Sequence, residues 1–153
     1  MPSGVVSSVQ GSDNGAQAGA ETDQVIGPRA VVAGHGQFAA GLASAVQQIS
    51  GKGNALIAIS NTGLGAADIE SAIASAIDRS GSRVVFTDLP AGSCTIAVRR
   101  LQRVRPEIVL VTGVNLATAL EYVFRSPDES AVSAATAAAE KGRATLLVQG
   151  GNV

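Results

Sequence analysis

The only histidine of the chain, His35, stands between Gly34 and Gly36 at the end of an apolar run, in the stretch VVAGHGQFAAG. A carboxylate that accepts from Nδ1–H of a neutral imidazole fixes the tautomer and leaves the Nε2 lone pair free to attack an electrophile. It also stabilises the positive charge that develops once Nε2 gains its new bond. Asp88, which ends the run RVVFTD, is the candidate for that role. A charge-assisted hydrogen bond of this kind is worth about 1.5–3 kcal/mol, or roughly ten- to a hundredfold in a rate, so Asp88 is expected to assist His35 rather than equal it. The segment LPAGSC that follows opens a helix. Its first amides and positive dipole end would favour an arriving phosphoryl group. Gly36, Gly92 and Ser93 are the residues expected beside that group, and the glycines flanking the ring would allow a tight turn and room for a bulky reactant.

These residues can meet only if two strand ends lie side by side. From Arg29 onward, short β-branched runs alternate with amphipathic stretches of helical length, the pattern of a parallel sheet with helices on both faces. The expected strands are RAVVAG (29–34), ALIAIS (55–60), RVVFTD (83–88) and EIVLVT (107–112), with a later RATLLVQ (143–149). Between them, Phe38, Leu42, Ala45, Val46 and Ile49 recur at helical intervals, as do Ile69, Ile73, Ala76 and Ile77. TIAVRRLQRV and NLATALEYVF behave likewise, with Asn115 as the N-cap of the latter. In SPDE, Ser126, Pro127 and Glu129 read as a capping box opening a last helix. The expected fold is a doubly wound α/β sandwich in three layers, with four parallel strands in the order 2-1-3-4 and a C-terminal antiparallel strand. In that order the first and third strands are neighbours, about 4.8 Å apart, and ligands gather at their carboxyl ends.

Composition narrows the class of protein. With 153 residues, 46% apolar and only 3% aromatic, the chain suits one domain packed from small aliphatic side chains. Eleven basic and twelve acidic residues nearly cancel, which argues against a surface built for nucleic acid. One histidine and one cysteine exclude a disulfide and a soft-ligand metal cluster, and fit a reducing cytoplasm. No secretion signal or membrane span is recognisable. Residues 1–28, rich in Gly, Ser and Ala over the first 24, are expected to form a flexible tail ahead of a domain covering 29–153.

GHG after the first strand, FTDLPAGS after the third and TGVNLATALEYVFR after the fourth resemble the mannose-family enzyme IIA of the bacterial phosphotransferase system, its galactosamine branch included. The resemblance runs from Arg29 to Gln149. It implies a homodimeric cytoplasmic phosphotransferase, without a cofactor, that accepts a phosphoryl group from HPr on His35 and passes it to an enzyme IIB, with Asp88 as the supporting acid. It further implies that RATLLVQ is a strand exchanged between subunits and that Asn115 lies at a partner interface. Contact with a membrane would be indirect, through the transporter that selects the sugar. The chain departs from the family pattern at Ala91, where a glycine is usual, and at Cys94, where a proline is. A regulatory module of the same fold, and a phosphoryl donor to dihydroxyacetone kinase, are the other roles such a domain could fill.

Three further patterns compete. GHGQFA fits a G-x-G-x-x-A dinucleotide fingerprint, but the second strand ends in Ser60 and Asn61, with no acid to hold a ribose. Cys94 and Arg100 have the C-x5-R spacing of cysteine phosphatases, yet the residues between them are apolar and helical, so a buried core cysteine is the better account. Arg99, Arg100, Arg103 and Arg105 form a basic cluster whose default reading is a solvated face. Its functional reading, carried by Arg99 and Arg103, is docking of an acidic phosphotransfer partner.

Overall fold

The structure, a computed structural model, describes residues 27–152, so all but the last two residues of the expected 1–28 tail lie outside the described residues. Four strands, β1 (Ala30–Gly34), β2 (Leu56–Ser60), β3 (Val84–Thr87) and β4 (Val109–Thr112), form one parallel sheet in the order β2-β1-β3-β4. Five α-helices connect and cover them: α1 (Phe38–Ser50), α2 (Ala66–Ser80), α3 (Ser93–Val104), α4 (Leu116–Val123) and α5 (Ala131–Ala144).

Strand alternation divides the core in two. Ala30 and Val32 of β1, with Val84 and Phe86 of β3, pack under α1, α4 and α5. Val31, Ala33 and Val85 face the other way, onto Ile69, Ile73 and Ile77 of α2 and Ala97, Val98 and Leu101 of α3. The two central strands are therefore buried on both faces, which accounts for their near-continuous apolar runs. The outer strands β2 and β4 keep partly exposed residues. Phe86 meets Tyr122 edge to face, 5.1 Å between ring centroids. The Tyr122 hydroxyl donates to the Arg29 carbonyl at 2.9 Å, and burial pushes its pKa up to about 12. It therefore stays a donor across the working range and ties α4 to the start of β1.

Two expectations are corrected and a third is not met within a single chain. RATLLVQ, expected as a strand exchanged between subunits, forms none within the chain itself: Arg143 and Ala144 complete α5, and Leu146, Leu147 and Val148 are 85%, 66% and 99% exposed. A strand needs an edge to bond with, and no strand among the described residues pairs with this segment. The capping box at Ser126 is also absent. The Ser126 hydroxyl accepts from the Asp128 amide at 3.3 Å, closing a turn that holds Pro127, while Ser130 caps α5 by accepting from the Ser133 amide at 3.1 Å. Glu129 is instead drawn to Arg125, 2.7 Å away. Ile49, placed on the buried stripe of α1, is 60% exposed, because it falls in the last turn beyond the sheet-facing Leu42 and Val46.

Close approach of α5 to α4 depends on Gly142. Its carbonyl accepts from Asn115 Nδ2 at 2.9 Å, and a Cβ there would overlap Thr118 Oγ1 and lie 2.8 Å from Asn115 Oδ1. Neither atom can swing away, since Thr118 is buried and its hydroxyl donates to Asn115 Oδ1 at 2.8 Å. Alanine gains about 1 kcal/mol over glycine in helix propensity, but overpacking of this kind costs about 1–3 kcal/mol. Gly142→Ala is expected to lower stability by about 1 kcal/mol net in urea unfolding, and a stabilised variant would contradict this packing.

Candidate active site

Parallel register sets the geometry. Ala33 pairs with Thr87, so the chain leaves β1 and β3 side by side and delivers His35 and Asp88 to the same edge. One carboxylate oxygen, Asp88 Oδ2, accepts twice from the same residue: from the His35 backbone N–H at 2.9 Å and from the ring Nδ1 at 2.7 Å. The acceptor is an ionised carboxylate with no proton to give, so the shared proton sits on Nδ1 and the lone pair on Nε2. Burial pushes the Asp88 carboxyl up. The His35 amide, the ring hydrogen bond and the ring's charge pull it down, joined by its own amide, and together they hold it below the ordinary carboxylate range. Its side chain is only 12% exposed, whereas that of His35 is 50% exposed. The carboxylate is sheltered and the ring is open.

Each neighbouring glycine has a separate function. At Gly34 a Cβ would lie 3.1 Å from Asp88 Oδ2 and 2.9 Å from Phe38 Cδ1, so the bare backbone is what admits the carboxylate. Room for a reactant, expected from both flanking glycines, is found only at Gly36, which has open space around it and a φ of +52° that turns the chain into α1. Gly92, at φ +132°, precedes α3, and a Cβ on it would lie 3.4 Å from His35 Cε1. The start of α3 thus approaches the ring at Cε1, the carbon between Nδ1 and Nε2. Among the described residues no side-chain cap closes the start of α3 at Gly92, which leaves the amides of its first turn open to an anion. His35 and Asp88 are hydrogen-bonded, Gly36 follows the ring, and Gly92 lies beside it with Ser93 as the first residue of α3.

Other candidates fall elsewhere. Asn115 caps α4, its Oδ1 accepting from the Thr118 amide at 2.9 Å, and its Nδ2 donates to the Gly142 carbonyl of α5 at 2.9 Å. Arg99 and Arg103 are exposed on α3, about 9 and 15 Å along the helix from Ser93 at 1.5 Å per residue. Arg105 leaves the basic cluster for ion pairs with Asp78 at 2.9 Å and Glu107 at 3.3 Å. Cys94 is buried. Burial and the Asp88 charge raise its thiol, outweighing a hydrogen bond from Ser93, so it is no thiolate nucleophile. The segment to Arg100 is helix, not a phosphate-cradling loop.

Two groups escaped the sequence reading. Ser60 Oγ donates to the Gly36 carbonyl at 2.9 Å and Asn61 Nδ2 to Ser93 Oγ at 2.9 Å, so the end of β2 latches both the histidine turn and the start of α3. Buried Thr87 and Thr95 share a 2.7 Å hydrogen bond, and Thr95 also donates to the Leu89 carbonyl at 2.6 Å, pinning the loop after Asp88. The polar triplet Ser60–Asn61–Thr62 beside the first strand end was the available signal.

The lowered carboxyl gives a signed pH dependence. Above the unfolded value of about 4 both states are ionised and the full benefit of the Asp88 contacts is present. As pH falls through the lower folded value, the carboxyl is protonated and the benefit is lost. In urea unfolding, the excess stability of wild type over Asp88→Asn is expected to be present above about pH 4 and to shrink below it. An excess that held undiminished in stronger acid would contradict the lowered pKa.

Residues 29–140 match the family model described as the PTS system fructose IIA component. Three solved structures share the fold. The mannose/sorbose specific IIA subunit of the phosphotransferase system from Enterococcus faecalis is 20% identical, with a TM-score of 0.70 over 84% of this chain and 98% of that one. The PTS IIA protein associated with the fucose utilization operon from Streptococcus pneumoniae is 18% identical, with a TM-score of 0.68 over 80% and 93%. The phosphotransferase system component EIIA from Streptococcus agalactiae is 22% identical, with a TM-score of 0.62 over 74% and 93%. No curated protein sequence matches significantly. Among the described residues no helix is long and apolar enough to cross a membrane. With its strand order, its histidine turn and a family match over most of its length, the chain belongs to the mannose- and fructose-type enzyme IIA components of the sugar phosphotransferase system.

Proposed function

We propose that this chain is a cytoplasmic phosphocarrier that accepts a phosphoryl group from phospho-HPr on His35 and passes it to an enzyme IIB for sugar uptake, and that residues 29–153 form the transfer domain. The observation that carries the reading is the 2.7 Å contact from Nδ1 to Asp88, which directs the free lone pair of a half-exposed ring toward solvent beside the start of α3. In the transfer, the Nε2 lone pair attacks phosphorus, an N–P bond forms, and the bond from phosphorus to the donor breaks with its electron pair leaving on the donor. Nδ1 keeps its proton, so the ring becomes cationic and Asp88 offsets the charge. The amides of Ser93 and its neighbours, with the Ser93 hydroxyl, face the phosphoryl oxygens. Positioning and electrostatics do most of such work. Arg99 and Arg103, exposed on the helix that starts at the site, are offered to an acidic partner surface. Asn115 would serve a partner only indirectly, by setting the start of α4.

The reading includes a homodimer. Among the described residues β4 bonds to β3 alone, with no strand on its other edge, and Leu146 to Val148 are apolar and exposed. Exchange of that segment onto the β4 edge of a second copy would satisfy both.

Incubation with radiolabelled phospho-HPr is expected to give an acid-labile label on the wild type and none on His35→Ala. Asp88→Asn is expected to slow labelling about ten- to a hundredfold, the loss of one charge-assisted hydrogen bond. Equal label on His35→Ala would overturn the assignment. Sedimentation is expected to give twice the chain mass for the wild type and the single chain mass for Leu147→Asp/Val148→Asp, and a monomeric wild type would refute the exchange.

A further inference from the structure

We propose that Asn61 is a positioning residue that sets the direction of the Ser93 hydroxyl proton and so completes the phosphoryl-oxygen site at the start of α3; this rests on the reading of His35 as phosphoryl acceptor. Asn61 follows β2 and is held on every side. Its backbone N–H donates to the Gly34 carbonyl at 3.1 Å, and its carbonyl accepts from the Leu64 amide at 3.1 Å, closing a turn around Gly63 at φ +74°. The preceding Ser60 hydroxyl donates to the Gly36 carbonyl at 2.9 Å, and its oxygen accepts from the Thr62 amide at 3.2 Å. The side-chain amide therefore approaches Ser93 from a backbone already fixed to both ends of the histidine turn.

The 2.9 Å bond from Asn61 Nδ2 occupies a lone pair of Ser93 Oγ, so the hydroxyl must send its own proton elsewhere. The Cys94 sulfur beside it is a weak acceptor. A phosphoryl oxygen on His35 is a far stronger one, since hydrogen bonds to ionised oxygens are roughly twice as strong as neutral ones. Asn61 thus presents Ser93 as a donor before the phosphoryl group arrives and avoids reorientation during transfer. Aspartate at this position has the same shape and the opposite capacity: it can only accept, so it would draw the Ser93 proton to itself and add negative charge beside the incoming group.

The test compares wild type, Asn61→Ala, Asn61→Asp, Ser93→Ala and the Asn61→Ala/Ser93→Ala double variant for the rate at which phospho-HPr labels His35. Asn61→Ala is expected to be about tenfold slower, the loss of one strong hydrogen bond, and Asn61→Asp slower still. The double variant is expected to match Ser93→Ala, because Asn61 acts only through that hydroxyl. A purely structural role would make the two losses multiply, and that outcome, or an Asn61→Asp as fast as wild type, overturns the proposal. Inorganic phosphate titrated against the Ser93 amide resonance repeats the comparison with no donor protein. Binding weakened by Asn61→Ala, and no weaker in the double variant than in Ser93→Ala, supports the coupling even if His35 takes no label, whereas binding unchanged by Asn61→Ala overturns it.

Discussion

A single carboxylate oxygen holds the site in place. Asp88 Oδ2 takes a hydrogen bond from the ring of His35 and another from the backbone of the same residue. The ring bond alone would orient the imidazole within a turn free to move, and the backbone bond alone would fix the turn and leave the ring to rotate. Together they lock the residue as a unit. The contact also explains why glycine precedes the histidine: any side chain there would displace the oxygen that makes both bonds.

The sheet supplies the rigidity behind that oxygen. β1 and β3 lie at its centre, buried on both faces, so the two strand ends that present His35 and Asp88 have almost no freedom to shift relative to one another. β2, on the outer side of β1, adds a third attachment through Ser60, and the buried threonine pair secures the loop beyond Asp88. This is the arrangement a short-lived covalent intermediate favours: geometry prepared in advance, with access from solvent.

Much of this was legible in the residues. The four core strands read correctly because buried parallel strands are continuous β-branched runs, and His35 stood out because it follows the first strand, on the sheet edge where ligands gather. Asp88 followed from strand order. RATLLVQ forms no strand within one chain because strand propensity alone does not bring a segment to an edge, and here it follows α5 unpaired with any described strand. Ser126 misled because a capping pattern and a plain turn share the same residues, and only the pull of Arg125 on Glu129 separates them. Asn61 and Ser60 were passed over for another reason. Polar residues at a strand end are ordinary, and what distinguishes these two is a partner 32 and 24 positions away in the chain, which local spacing cannot reveal.

His35 and Asp88 are 53 positions apart, with α1, β2, α2 and β3 between them. The ring therefore acquires its orientation only after β1 and β3 have paired, late in an ordering process that must first close that long stretch. A nascent or partly collapsed chain carries the imidazole without its anchor, as an ordinary surface histidine. Reactivity in this molecule is accordingly a readout of completed folding.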